Sequence, residues 1–373
     1  MPILVSDPFL KPIRDKVLAA QRLSREDGLV LAQTPDALGL GALANHVRER
    51  LHADKAFYNI NRHINYSNVC IAGCSFCAFS RKPGEEGGWT YSLEEIFRKA
   101  AEECPPGCAE LHIVGGLHPD LPFQYFLDML AGLRQRFPRL HLKAFTAVEL
   151  AHFSQISGLD VREVIRQLKA HGLGSLPGGG AEVFHEDLRK RIAGRKADAQ
   201  NWLNIHRIAH EEGLKSNATM LYGHLETWDE RIEHMERLRD LQDETGGFQA
   251  FIPLAFHPEN SPLGHLPGPS GLTDLRVMAL SRLMLDNFAH IKAYWVTLGI
   301  KMAQLALSFG ADDLDGTVTE ETIHHMAGAS SPQALRARDL ENLIREAGRR
   351  PVLRDTLYNE LDPDTAPRAN ERA

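Results

Sequence analysis

The sequence contains no apolar run approaching the roughly 18 residues that a membrane-spanning helix needs. It has no block of basic residues. Acidic and basic side chains are interspersed to a formal net charge of −7, which argues against a nucleic-acid partner. The first residues, "MPILVSDPFLKPIRDK", lack the basic–apolar–small order of a secretory signal. The expectation is a cytoplasmic protein with neither membrane nor nucleic acid as partner. Internal repeats and low-complexity tracts are missing too. Cysteine is scarce, at five in 373 residues, and the number is odd and clustered. That pattern fits a metal site in a reducing compartment better than a disulfide framework.

What is present is the composition of a globular protein, 43% hydrophobic and 24% charged, long enough for one large barrel or two ordinary domains. Residues 8–55 read as helices. Ser24 with Asp27 forms one N-terminal cap, and Thr34 with Pro35 marks the next start. From residue 60, short apolar runs alternate with amphipathic segments. The runs are 62–68, 110–116, 140–147, 173–180, 216–223, 248–256, 293–299 and 304–310. The helix-like stretches between them are 92–104, 121–136, 160–171, 198–212, 228–243 and 272–290. Eight strands with interposed helices predict an α/β fold, a (β/α)8 TIM-type barrel over 60–316. Helical extensions at 1–59 and 317–373 flank it, the second ending in a loose polar tail. Two doubly wound domains fit less well, because no linker separates them.

The chemistry-bearing stretch is "NVCIAGCSFCAF", which places Cys70, Cys74 and Cys77 in eight positions. Three closely spaced thiolates can bind three irons of a [4Fe–4S] cube and leave the fourth iron open to another ligand. A structural zinc loop is the alternative. It requires a fourth ligand, for which Cys104 and Cys108 are available in sequence. Free cysteines are also often buried small hydrophobes, the reading favoured for Cys104 and Cys108.

The spacing C-x3-C-x2-C, with Phe76 before the third cysteine, resembles the radical S-adenosylmethionine (SAM) superfamily. The resemblance implies that the methionyl amine and carboxylate of SAM chelate the open iron. Electron transfer then yields a 5′-deoxyadenosyl radical, and Phe76 lies near the adenine. Gly115-Gly116 stands where the superfamily has a glycine pair approaching the methionyl amine, but Leu117 and His118 follow where many members have an acid.

Four further stretches, 112–130, 141–150, 173–184 and 216–261, are similar to aminofutalosine synthases of menaquinone biosynthesis. The cyclising sister enzyme, cyclic dehypoxanthine futalosine synthase, shares the glycine run and a "DETGGF"-like stretch. The radical subunits of deazaflavin synthesis are close as well. The first resemblance implies a small aryl enol-ether dicarboxylate substrate, 3-[(1-carboxyvinyl)oxy]benzoate. It further implies addition of the adenosyl radical, aryl migration and decarboxylation to 6-amino-6-deoxyfutalosine. SAM is then consumed, and an electron donor such as flavodoxin or ferredoxin is needed.

A dicarboxylate with one ring calls for donors at two places and an apolar wall between. His118, Lys143 and His257 are the expected catalytic residues near strand ends. Glu182, beside the run Gly178-Gly179-Gly180, is expected to accept from ribose hydroxyls. Asn217 and Thr219 share one face of their strand and are expected to reach the cofactor. In "RKRIAGRK", Arg191 or Arg195 is a possible carboxylate ligand.

Overall fold

The structure is a computed structural model that describes residues 3–102 and 107–362. Its strands, in chain order, are β1 (Lys55–Asn59), β2 (Asn61–Ile64), β3 (Glu110–Ile113), β4 (His141–Ala144), β5 (Ser175–Leu176), β6 (Lys215–Tyr222), β7 (Phe248–Ala255), β8 (His290–Ile291), β9 (Asp313–Gly316) and β10 (Arg350–Leu353). Strands β2 to β8 form one sheet in sequence order, parallel throughout. Each crossover carries helix, as parallel neighbours require. Arg62 of β2 bridges Thr319, and Lys292, just after β8, bridges Asp313. One short segment, 313–319, thus meets both edges of the sheet, so the sheet must curl. The result is a partial barrel with β9 and the residues just after it across its opening.

The first six expected strands fall where the runs placed them. The last two do not. "AYWVTLG" holds the helix Trp295–Leu298, and "QLALSFG" overlaps the helix Ile300–Ala306. A short apolar run has no period that separates a strand from a buried helix. The strands lie beside these runs, at β8 and β9. The sequence of β9, "DLDG", carries two charges in a buried strand. Its charges are neutralised inside: Asp313 accepts from Arg354 at 2.6 Å, and Asp315 from Lys292 at 2.8 Å.

The two extensions are not purely helical. β1 pairs in parallel with β10 on one side and β9 on the other, with Phe57 opposite Val352 and Asp313. The chain before the barrel and the chain after it therefore share a three-stranded sheet. The Ser24–Asp27 capping box is present. The next helix, Ala37–His52, is capped by Asp36 rather than Thr34, whose hydroxyl instead donates to Asp7 at 2.6 Å. Helix Ala37–His52 packs on helix Gly271–Met284 at the outside of the barrel. Cys104 and the tail from 363 onward lie outside the described residues.

Strand alternation sets the barrel interior. It turns Asn61 and His63, Glu110 and His112, and His141 and Lys143 inward. Barrels are usually filled by branched apolar side chains. Here the filling is polar, and Lys143 donates to Glu110 at 2.7 Å with both side chains buried.

Candidate active site

A cavity of about 280 Å³ opens at the carboxyl ends of the strands. Its wall takes residues from the loops after β2, β3, β4 and β5, from β6 and β7, and from the chain after β8 and β9. No lining residue precedes His63, so among the described residues the N-terminal helices do not cover it.

Cys70, Cys74 and Cys77 all line this cavity. Their loop is held by its backbone. Cys70 N–H donates to Arg81 O at 2.9 Å, Ile71 N–H to Leu117 O at 3.1 Å and Ser75 N–H to Ile192 O at 2.9 Å. Burial pushes the Cys74 thiol up to about 11, so that sulfur needs a cation to be held as thiolate. Cys108 does not join them. It is buried at the start of β3, where its sulfur meets Glu110 O at 3.5 Å, the opposite end of the strand from the cavity. Among the described residues, no fourth cysteine is available to complete a zinc site. Three thiols around a roomy cavity fit a cluster with one open iron better than a closed metal.

The glycine pair packs directly behind the cysteines. A Cβ on Gly116 would lie 2.2 Å from Val69 O and 3.0 Å from Cys70 Cβ. Gly115 N–H donates to Glu149 Oε1 at 3.1 Å, and that oxygen also receives the Tyr66 hydroxyl at 2.8 Å. The other carboxylate oxygen closes the capping box with Thr146 at the start of helix Ala147–Ser157. Glu149 thereby ties the loops after β3 and β4 together. Gly178 is required for a different close approach. Its Cβ would stand 2.7 Å from Asn217 O, and its carbonyl accepts the Thr219 hydroxyl at 2.6 Å.

Glu182 lines the cavity at φ 51° and accepts from Lys196 at 2.6 Å. Burial opposes both charges. Even so, Lys196 and Arg189 hold the Glu182 carboxyl below its usual range, while Cys74 and Glu182 hold Lys196 above that of an ordinary lysine. Lys196 also lies 5.2 Å over the Phe76 ring. In the basic run it is therefore Lys196 that enters the site, and Arg191 and Arg195 are exposed outside it.

The structure brings Phe76, Gly115, Gly116, Glu182, Asn217, Thr219 and His257 around the cavity with the three cysteines. His257 is fixed there by a 3.0 Å bond from Nε2 to Thr297 O. Two expected catalytic residues are elsewhere. Lys143 lies beneath the cavity, committed to Glu110, because its strand position points it into the barrel below the site. His118 turns away and accepts from Asp120 N–H at 3.1 Å. Other lining residues were not anticipated: His63, His112, Tyr294, Asp315, Glu321 and His324. The two strand histidines carried a signal, since alternation places them inward. The other four depend on the path of the chain after β8, which the strand assignment there missed.

A profile described as "Radical SAM superfamily" matches residues 64–238, and one for the "CofH/MqnC C-terminal region" matches 245–366. The chain is 51% identical to the aminodeoxyfutalosine synthase of Thermus thermophilus, covering 96% of this chain and 97% of the relative. The chain belongs to the aminodeoxyfutalosine synthase family of radical SAM enzymes. A second family member, from Streptomyces coelicolor, is 44% identical over 96% of both chains. The cyclic dehypoxanthine futalosine synthase of the same organism is 42% identical over 94% of this chain and 89% of its own. Among solved structures, methylornithine synthase superposes with a TM-score of 0.73 at 18% identity, covering 91% of this chain and 97% of that one. At that identity the likeness establishes the fold alone. The radical SAM fold class uses a [4Fe–4S] cluster and SAM, and the thiol-lined cavity suits both. No helix among the described residues is long and apolar enough to cross a membrane.

Proposed function

We propose that this chain is an aminodeoxyfutalosine synthase that joins the adenosyl group of SAM to 3-[(1-carboxyvinyl)oxy]benzoate. Aryl migration and loss of one carboxylate follow, giving 6-amino-6-deoxyfutalosine on the way to menaquinone. The observation that carries this reading is the 51% identity, sustained over nearly the whole chain, with a relative of that name. Bound in the cavity, the cluster supplies the electron that breaks the carbon–sulfur bond of SAM. The reading places the protein in the cytoplasm, with a flavodoxin or ferredoxin as donor.

The residues divide the work. Cys70, Cys74 and Cys77 hold three irons, and the cavity in front of them leaves room for the methionyl end of SAM. Gly115 and Gly116 let their loop close against Tyr66 and the cysteine loop, which sets where the methionyl end can sit, and Glu149 fixes their position. Glu182, Lys196 and Asn217 offer the polar contacts for the rest of SAM, with Phe76 as an apolar face. One side of the wall, Leu221, Ile252, Leu254 and Phe256, is apolar and excludes water from a reactive intermediate. His257 donates from Nε2 to Thr297 O, which leaves Nδ1 as the nitrogen that can accept a proton or hydrogen bond from substrate.

The test is turnover by reduced, cluster-loaded protein given SAM and the carboxyvinyloxy-benzoate, followed by mass. A covalent adenosyl–aryl product supports the assignment. Turnover of the dehypoxanthine substrate instead, with release of free 5′-deoxyadenosine, would assign the chain to the cyclising sister activity.

A further inference from the structure

The substrate in the proposed reaction is a dianion, yet the cavity offers almost no fixed positive charge. Lys196 is the one lysine or arginine among the lining residues, and Glu182 already neutralises it. The cations deeper in the barrel are also committed, Lys143 to Glu110 and Lys292 to Asp315. A carboxylate entering this space must be met by neutral donors or by histidine.

The structure supplies such a place. His63 and His112 stand opposite each other on β2 and β3. Their rings stack with centroids 4.4 Å apart and planes 12° from parallel, and both line the cavity. His63 is only 8% exposed, and its Nε2 is buried without a hydrogen-bond partner. Leaving a buried ring nitrogen unsatisfied is costly unless a ligand completes it. Tyr294 and His324, edge to face at 5.7 Å, line the same cavity from the chain after β8 and β9. Burial lowers the pKa of both stacked histidines against the pull of the Asp315 and Glu321 carboxylates, which line the same cavity, and of Glu110 beneath it, and the charge of His63 further opposes that of His112. The pair is therefore neutral when empty and takes up a proton most readily beside an anion.

We propose that His63 and His112, with Tyr294 and His324, form the subsite for the ring carboxylate of the aryl substrate. The inference rests on the proposed function. The vinyl carbon must meet the adenosyl carbon near the cysteine loop, at the mouth of the barrel. The ring carboxylate is the end of the substrate farthest from that carbon. His63 and His112 project from within strands, below the level of the loops that carry the cysteines. The far end of the substrate thus reaches them, while the enol carboxylate stays near the chemistry. These residues set specificity for a meta-carboxylated ring.

The test compares two ligands on the oxidised, SAM-loaded holoenzyme, where no turnover occurs: the dicarboxylate and the phenyl analogue lacking the ring carboxylate. Binding is measured by calorimetry, and KM and kcat are then read under reducing conditions. His63→Leu is expected to weaken dicarboxylate binding by about tenfold or more, the loss typical of one charge-assisted bond. It should leave the affinity for the phenyl analogue within about twofold, with KM rather than kcat carrying the change. His63→Gln, which keeps a donor, should recover part of the loss. Tyr294→Phe gives the same comparison if His63→Leu does not fold. Equal weakening of both ligands, or no weakening, overturns the subsite. If the unaltered enzyme turns over neither ligand, the proposed function falls instead.

Discussion

Lys143→Met removes the cation from a buried ion pair and leaves Glu110 only the longer-range charge of Lys292, which is itself bound to Asp315. The amides of Asn59 and Asn61 reach the Glu110 carboxylate only at 3.3 and 3.5 Å. In the native protein, burial alone would raise the Glu110 carboxyl. The charges of Lys143 and Lys292 override burial and hold it well below its usual range. Removing one partner of such a pair costs about 3–5 kcal/mol, whereas replacing both with apolar groups is often near neutral. We expect that loss in urea melts of Lys143→Met at pH 8, and a change within about 2 kcal/mol for Lys143→Met with Glu110→Leu. The pH dependence has a definite sign. Native Glu110, with its depressed pKa, contributes stability above its unfolded value of about 4.3 and loses it as pH falls. In the variant the folded pKa is raised, so acid favours the folded state and stability falls as pH climbs above about 4.3. The cost of Lys143→Met must therefore be smaller at pH 5.5 than at pH 8. A cost below about 1 kcal/mol at pH 8, or one that does not grow between the two pH values, would refute a charged Glu110–Lys143 pair in the barrel.

Gly116→Ala should keep the far-ultraviolet spectrum of the fold but lower bound iron and acid-labile sulfide, because its Cβ would press on Val69 O and the Cys70 side chain. Glu182→Gln leaves Lys196 without its anionic partner beside Phe76. SAM affinity in equilibrium dialysis should fall about tenfold or more, with iron content unchanged. His325 donates from Nδ1 to Glu321 at 3.0 Å, and that bond raises its pKa to about 9 against the opposing effect of burial. A raised pKa gives stability that is complete below about 6.5 and lost as pH rises through 9. The melting temperature of the native protein should therefore drop more between pH 7 and 9.5 than that of His325→Gln.

The cysteine loop and the strands β2 to β7 were legible because each rests on local signals, thiol spacing and apolar runs between amphipathic helices, while the glycine pair came from the superfamily resemblance. Asn217 and Thr219 followed from simple alternation. Lys143 misled for an instructive reason. Alternation turns it inward, but its height in the barrel depends on register with β3, and that register puts Glu110 within reach. Lys196 was hidden among equivalent basic neighbours, and only the turn after helix Glu186–Ala193 selects it. β9 was illegible because its aspartates find Arg354 and Lys292 from distant parts of the chain. With β9 misplaced, Asp315, Glu321 and His324 could not be assigned to the cavity. β1 and β10 were missed because a strand of four or five residues between helices carries little periodicity of its own.

The central claim is that this chain joins the adenosyl group to an aryl substrate rather than using it to remove a hydrogen atom. One measurement addresses it directly: mass analysis of a single turnover by the reduced, cluster-loaded enzyme with SAM labelled in the adenosyl moiety and 3-[(1-carboxyvinyl)oxy]benzoate. The account predicts that the label appears in a product containing both adenosyl and aryl groups, with methionine and bicarbonate released. Label recovered wholly as free 5′-deoxyadenosine would contradict it.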